Sequence, residues 1–290
     1  NVLTKNKVKF YNCDLVDYNN FNCISNINDI EAVLHFAGLK SVYDSEKKPI
    51  DYYKNNFISS MNVIQFMKEK KINKLIFSSS ATIYGNSNFS PIREVDQIHP
   101  INTYGHTKVM VENFLKNICN LNSDFSCVAL RYFNPVGAHS SGLIGETPKG
   151  KPNNLMPIML NVAVGKQKYL NIYGNDYPTR DGTGVRDYIH VLDVSEGHLL
   201  ALQFLENNSG YFAFNLGTGR GVSVLELLNT LEDECQIKIP YKFSSRRTGD
   251  VPSCYADPTK ANKMLKWKAK RNLQYMCKTA WFHKLRQRNN

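Results

Sequence analysis

A chain of 290 residues, 42% hydrophobic and 21% charged, has the composition of an ordinary globular protein and can build one large or two moderate domains with a full core. No apolar run approaches the roughly 20 residues of a membrane span, and seven scattered Cys without a C-x-x-C pair exclude a zinc site or a disulfide framework and fit a reducing, cytoplasmic setting. The net charge of +11 raises an anionic partner such as nucleic acid. The excess, however, sits mostly from Pro258 onward, where no Asp or Glu occurs and no nucleic-acid motif accompanies it, so it reads as a solvated helical surface.

The chain opens on Asn1-Val2-Leu3-Thr4-Lys5, with neither an initiator Met nor the apolar core of a signal peptide, which suggests a processed or incomplete chain. Val8-Lys9-Phe10-Tyr11 reads as a short strand ending near Asp14. Residues 31–36 read as a second strand, apolar on both faces as in a buried parallel sheet, running into Ala37-Gly38. Ile50, Tyr53, Phe57, Met61, Ile64 and Met67 mark a helix over 49–71 by their spacing. Leu75-Ile76-Phe77 is a third strand, running into Ser78-Ser79-Ser80. A helix carrying Tyr104 and Lys108 follows, capped by Asn102 or Thr103, with Val111, Phe114, Leu115 and Ile118 on its buried side. Residues 127–133 form a fourth strand. This alternation predicts an α/β fold, a doubly wound parallel sheet of Rossmann type.

Beyond Asn134-Pro135, Gly and Pro become frequent and a long polar loop spans 174–184. Helices are expected over 155–165, 193–206, 223–234, 258–265 and 272–286. The expected division is residues 1–135 as one domain and 136–290 mainly as a smaller substrate domain, with 185–217 returning to the first.

One stretch carries chemistry. Positions i and i+4 share a helix face, so Tyr104 and Lys108 point the same way one turn apart. An ammonium there favours the phenolate and lowers the Tyr104 pKa, making the phenol a usable general base. Ser80, at the end of the preceding strand, can hold the same substrate hydroxyl from the other side. In a doubly wound sheet ligands bind beyond the carboxyl ends of the strands. There stand Asp14, an acceptor for an adenine amine or a helix cap; the loop Phe36-Ala37-Gly38-Leu39-Lys40, whose small residues admit a cofactor backbone; Ser80; and Phe133-Asn134-Pro135. Four such loops indicate a dinucleotide. The glycine-rich turn that cradles pyrophosphate on a helix N-terminus is absent before Asp14, so the chain is expected to start inside its first domain. Farther on, Arg186 and the pair Arg246-Arg247 present guanidinium forks suited to a diphosphate, with a salt bridge to Asp187 or another acid as the competing reading of Arg186. Asn154 and Leu155 are placed to meet a nucleobase or ribose, and Tyr173 to stack on a uracil.

These residues resemble the UDP-glucose 4-epimerases, within the extended short-chain dehydrogenase/reductase proteins. The resemblance covers nearly the whole chain. It rests on His35-Phe36-Ala37-Gly38-Leu39-Lys40, Phe77-Ser78-Ser79-Ser80-Ala81-Thr82-Ile83-Tyr84-Gly85, the Tyr104/Lys108 pair and the run from Leu130 to His139. It continues in Pro152 to Pro157, Tyr173 to Thr179, the highly specific run Asp181 to Val191, and Arg246 to Asp250. It implies a redox-neutral isomerisation that interconverts UDP-glucose and UDP-galactose at C4 through a transient 4-keto sugar, with bound NAD. Tyr104 is then the base, Lys108 depresses its pKa and meets the nicotinamide ribose, and Ser80 and Thr82 hold the C4 oxygen. Asp14, Leu15, Phe36, Ala37, Gly38, Leu39, Lys40, Asn55, Ser80, Tyr104, Lys108 and Phe133 match positions around NAD. Ser80, Tyr104, Asn134, Asn154, Leu155, Asn171, Ile172, Tyr173, Arg186, Arg247 and Asp250 match positions that hold the UDP-sugar. A homodimer through the two helices beginning near Tyr53 and Tyr104 is also implied; no metal, nucleic acid or membrane is.

The family's first strand, glycine turn and ribose-binding acid have no counterpart here, a gap of roughly 40 residues, about one strand–helix–strand unit. That admits a non-catalytic nucleotide-sugar-binding or regulatory form on the same fold as the alternative. A nucleotide-sugar dehydratase needs a carboxylic acid beside the active-site Ser/Thr, and Ser80-Ala81-Thr82-Ile83 has none. Cys254 matches the position beside the sugar's C2 substituent. As a small residue it leaves space for an N-acetyl group, which extends the expected substrates to UDP-N-acetylglucosamine and UDP-N-acetylgalactosamine; the competing reading is a packing residue, with Tyr255 closing the pocket.

Overall fold

The structure, a computed structural model, describes residues 3, 8–86, 90–148, 150, 152–247 and 249–288. The opening Asn1-Val2 and Thr4-Lys5 therefore lie outside the described residues. In chain order the strands are β1 (Val33–His35), β2 (Lys74–Ser80), β3 (Ser126–Tyr132), β4 (Asn134–Val136), β5 (Leu170–Tyr173), β6 (Val185–Arg186), β7 (Tyr188–His190), β8 (Tyr211–Leu216), β9 (Val222–Ser223), β10 (Tyr241–Ser244) and β11 (Ser253–Cys254). The helices are α1 (Val42–Lys47), α2 (Pro49–Tyr53), α3 (Ser59–Glu69), α4 (Thr103–Leu121), α5 (Leu155–Ala163), α6 (Val191–Phe204), α7 (Val224–Cys235), α8 (Thr259–Leu265) and α9 (Leu273–Arg288). They belong to two compact units. The first takes the chain up to Gly85, with Ile98–Arg131 and Ala201–Ala213; the second takes Asn86–Gln97, Tyr132–Leu200 and the chain from Phe214.

The first unit is built on a four-stranded sheet in the order β1-β2-β3-β8, with β1 parallel to β2 and Leu34 opposite Ile76. Leu75, Ile76 and Phe77 are consecutive and all buried, as are Cys127, Val128 and Ala129, so both faces of the central strands are covered. Val63, Phe66 and Met67 of α3 and Val111 and Leu115 of α4 pack on this sheet; Phe114 and Ile118 lie partly buried at its margin. Asn102 caps α4, its Oδ1 accepting the Gly105 N–H at 2.8 Å.

Three local expectations are corrected. Residues 8–11 form no strand: Val8 and Phe10 are exposed, and an extended segment counts as a strand only through its ladder. The second strand shrinks to Val33–His35, with Leu34 partly open, because β1 pairs only with β2 and stands at the edge of the described sheet. Ser78, Ser79 and Ser80 belong to β2 itself. The predicted helix over 49–71 is present as α2 and α3, joined by a π turn at Lys54–Ile58.

In the second unit a core of Met156, Met159, Leu160, Ile172, Leu227, Leu231 and Met276 gathers α5, β5, α7 and α9. Small parallel pairs, β4 with β7 and β5 with β10, and the sheet β11-β6-β9 carry the loops. Ser223 and Glu226 close a reciprocal capping box on α7.

Candidate active site

In the first unit, Ser80 is the last residue of β2, and Ala81–Tyr84 follow as a single 3-10 turn. The Ser80 hydroxyl donates to Thr82 Oγ1 at 2.9 Å and accepts the Thr82 N–H at 3.2 Å, so the two hydroxyls form one polar point. The start of α4 closes on this turn at Gly105. A Cβ there would stand 3.0 Å from Pro100 Cβ and 3.1 Å from the Thr82 carbonyl oxygen, which only glycine avoids. Tyr104, 9% exposed, is thereby brought to the Ser80–Thr82 turn.

Lys108 lies one turn along the same face, its Nζ 5.8 Å from the Tyr104 ring centre and 4.8 Å from that of Phe77. It donates to the Ser78 carbonyl at 2.7 Å. Burial pulls the Lys108 pKa down to about 8, opposed by the charge of Glu112. The expectation that Lys108 lowers the Tyr104 pKa is corrected here. Burial raises the phenol's pKa, the Ser80 hydroxyl opposes this only in part, and the ammonium is committed to Ser78. His35, behind Lys108, is held neutral: burial and then the Lys108 charge bring its pKa to about 4. Ser60 Oγ donates to the Asn56 carbonyl at 2.6 Å, which leaves His35 Nε2 as the donor in its 2.9 Å bond to Ser60.

The loop Phe36–Lys40 is exposed at all five residues. It is clasped by a residue that sequence reasoning missed, Asn56. Its Oδ1 accepts the Leu39 N–H at 2.7 Å, and its Nδ2 donates to the Leu39 carbonyl at 3.0 Å and to Thr107 Oγ1 at 2.9 Å. Gly38, at φ +148°, would carry a Cβ 3.0 Å from that Oδ1. The π turn helps explain the miss, since it interrupts the 3.6-residue spacing on which the sequence reading relied. The predicted Asn55 instead donates to the Asp51 carbonyl at 2.9 Å. Asp14 is exposed and accepts the Val16 N–H at 3.0 Å, while the cap of the 3-10 turn Tyr18–Ile24 is Asp17; Leu15 packs against the core.

In the second unit, Phe133 is buried beside β8, its N–H on the Leu216 carbonyl at 3.2 Å, and Asn134 follows with an exposed side chain. Asn154 begins α5 and donates to Glu146 Oε1 at 2.6 Å, with Leu155 the first helical residue. Asn171, Ile172 and Tyr173 lie on β5. Tyr173 is exposed and carries the Arg247 guanidinium 3.9 Å above its ring, whereas Ile172 points into the core and offers only its backbone. Arg186 donates to the Val185 and Val251 carbonyls at 2.8 and 2.9 Å and pairs with Asp250 at 3.5 Å. Its acidic partner is thus Asp250. Asp187, fully buried, is instead a hub for four donors: the Thr218 N–H and hydroxyl, the Gly219 N–H and the Ala256 N–H, at 2.6 to 3.1 Å. Arg246 is occupied by Asp176 at 2.8 Å. Cys254 lies opposite Arg186 in the β11–β6 register, and burial pushes its thiol up to about 11. Tyr255 turns its hydroxyl to the Ser90 carbonyl at 3.2 Å. Among the described residues no group of His, Cys, Asp and Glu could hold a metal, and no helix is long and apolar enough to cross a membrane.

Comparison with known proteins identifies the family. A profile described as GDP-mannose 4,6 dehydratase matches residues 1–280. The UDP-glucose 4-epimerase of Bacillus subtilis (strain 168) is 48% identical over 279 residues, covering 96% of this chain and 82% of that protein. The crystal structure of UDP-glucose 4-epimerase from Bifidobacterium longum in complex with NAD+ and UDP superposes with a TM-score of 0.95 at 44% identity, covering 99% of this chain and 86% of that one. The epimerase structure from Stenotrophomonas maltophila, with NAD and formylated UDP-arabinopyranose, gives 0.92 at 43% identity, over 96% and 83%. The α/β Rossmann-type fold thus has a home: the chain belongs to the UDP-glucose 4-epimerase family.

Proposed function

We propose that this chain interconverts UDP-glucose and UDP-galactose at C4, with NAD as resident cofactor. The observation that carries the reading is the buried Tyr104, with the Ser80–Thr82 hydroxyls beside it and Lys108 one turn along α4. The absence of a carboxylate in Ser80-Ala81-Thr82-Ile83 favours epimerisation over dehydration within the family. Relatives of this identity are epimerases, and their structures hold NAD.

The first unit's loop fits a dinucleotide. At Gly38 a Cβ would crowd the Asn56 clasp, Ala37 is small, and Lys40 stands exposed beside them. Asp14, Leu15, Phe36, Ala37, Gly38, Leu39, Lys40, Asn55 and Phe133 are the residues that would hold NAD, which supplies the hydride acceptor and donor when bound. Tyr104 takes the proton of the sugar's C4 hydroxyl and later returns it. Its raised pKa suits the stage at which the phenol returns the proton. Ser80 and Thr82 hold the C4 oxygen. Arg186, Arg247 and Asp250 receive the diphosphate and ribose; Asn134, Asn154, Leu155, Asn171, Ile172 and Tyr173 receive the rest of the nucleotide. Because Asp250 already pairs with Arg186, a diphosphate competes for that guanidinium. The first unit serves as the NAD-binding domain and the second as the UDP-sugar domain. Tyr255 is engaged with Ser90, which leaves Cys254 as the residue beside the sugar's C2 position and admits N-acetyl sugars. Exposed Met61 on α3 and Met110 on α4 support a homodimer through these helices, and seven free Cys support a cytoplasmic setting.

The test is Tyr104→Phe. Turnover is expected to fall by about 100-fold or more, while UDP-sugar affinity stays within about twofold by calorimetry, since the ring is retained. Near-parental turnover would end the assignment of Tyr104 as base.

A further inference from the structure

One turn beyond Lys108, the same face of α4 presents Glu112 to the interior. Its carboxylate and the guanidinium of Arg131 on β3 are each 4% exposed and meet through two prongs, Nη2 to Oε2 at 2.7 Å and Nε to Oε1 at 3.1 Å. The Ser79 hydroxyl donates to Oε1 and the Tyr211 hydroxyl to Oε2, the latter at 2.9 Å. Arg131 Nη1 donates to the Tyr84 hydroxyl at 2.9 Å. A buried ion pair is weak evidence of stability, because desolvation offsets most of the attraction. A network with every prong satisfied does define geometry.

The chain positions of its members give it a use. Ser79 directly precedes Ser80, Tyr84 closes the turn that holds Thr82, and Glu112 lies two turns from Tyr104 on one helix face. One ion pair therefore ties together the end of β2, the turn after it, β3 and α4.

We propose that the Glu112–Arg131 pair is a positioning device that holds the Ser79–Tyr84 segment and α4 in one register, and so keeps Ser80 beside Tyr104 and Lys108. It deepens the proposed function and rests on it for the identity of the reacting groups. A second consequence follows from charge. The titratable groups around Lys108 are Tyr104 and Glu112 on α4 and His35 on β1, with Tyr52 of α2 acting on Tyr104 and Arg131 of β3 behind Glu112. Of these, it is the charge of Glu112 that works against the burial drawing the Lys108 pKa down to about 8. Removing it leaves Lys108 discharged at a lower pH.

The experiment uses Glu112→Gln, which keeps shape and removes charge. Lys108 is titrated by NMR with isotope-labelled lysine in the chain without added NAD or substrate, and steady-state kinetics follow on active enzyme. The midpoint is expected to fall by about half a unit or more, and kcat to fall about 10- to 100-fold with KM within about twofold, as for a small misplacement of reacting groups. An unchanged midpoint together with unchanged kcat would overturn the proposal. If Glu112→Gln does not fold, Tyr211→Phe and Ser79→Ala each remove one donor and keep the pair. Each is expected to lower kcat about threefold or more at constant KM, and parental kcat in both would overturn it. The NMR midpoint involves no turnover, so a failed Tyr104 assignment and a failed Glu112 assignment give different results.

Discussion

Asp187→Ala is expected to destabilise the second unit, and the size of the effect can be worked from the surroundings of each donor. The carboxylate accepts from Thr218 N at 2.8 Å, Thr218 Oγ1 at 2.6 Å, Gly219 N at 3.0 Å and Ala256 N at 3.1 Å. A buried donor left unpaired costs about 1–3 kcal/mol. Ala256 is fully buried, so its N–H counts in full. Thr218 is half-buried: its amide counts in part, and its hydroxyl can rotate to another acceptor. Gly219 is exposed and its N–H turns to water. The sum is about 2–4 kcal/mol. Asp187→Asn keeps one oxygen but sets an amide NH2 against two of the donors, for an expected cost of about 1–3 kcal/mol. Urea unfolding followed by circular dichroism measures both, provided the slope is unchanged. UDP affinity should fall in parallel, because the same residue's backbone accepts from Asn134 N at 2.9 Å and donates to the Cys254 carbonyl at 3.2 Å. A loss below about 0.5 kcal/mol for Asp187→Ala would show that the donors are readily re-satisfied, and the hub reasoning would fail.

Asn56→Ala removes the clasp on the Phe36–Lys40 loop and is expected to weaken NAD binding about tenfold, or about 1.4 kcal/mol, by calorimetry; unchanged affinity would place NAD elsewhere. His35 has its pKa lowered by burial and the Lys108 charge to about 4 against an ordinary 6.5, so the unfolded chain binds a proton that the folded one refuses. Its contribution is present above pH 6.5 and lost as pH falls toward 4. Unfolding free energy should therefore drop over that window by up to about 3 kcal/mol more in the parent than in His35→Leu, and equal slopes would refute it. Cys254→Tyr is expected to keep the glucose/galactose reaction and to lose the N-acetyl one by about 100-fold. An unchanged ratio of the two activities would remove Cys254 as the gate.

Local pattern alone determined much of this protein. The spacing of apolar residues located α3, α4 and the later helices, and consecutive apolar residues located β2 and β3, because periodicity is a property of neighbours in the chain. Tyr104 and Lys108 could be paired from sequence for the same reason: a helix converts a spacing of four into a shared face. Tertiary structure decided what depends on partners distant in the chain. Residues 8–11 have strand composition but form no strand, because a ladder depends on what the fold sets beside a segment. The π turn interrupts the helical spacing, and only folding brings Asn56 to Leu39. Arg186 sits next to Asp187 in sequence yet pairs with Asp250, since the β6–β11 pairing brings that segment alongside while Asp187 is turned to Thr218, Gly219 and Ala256. The direction of the Tyr104 pKa was beyond reach for a related reason. Helix geometry supplies the nearby ammonium, but folding commits it to the Ser78 carbonyl, and burial, which depends on every segment packed around the phenol, raises the Tyr104 pKa.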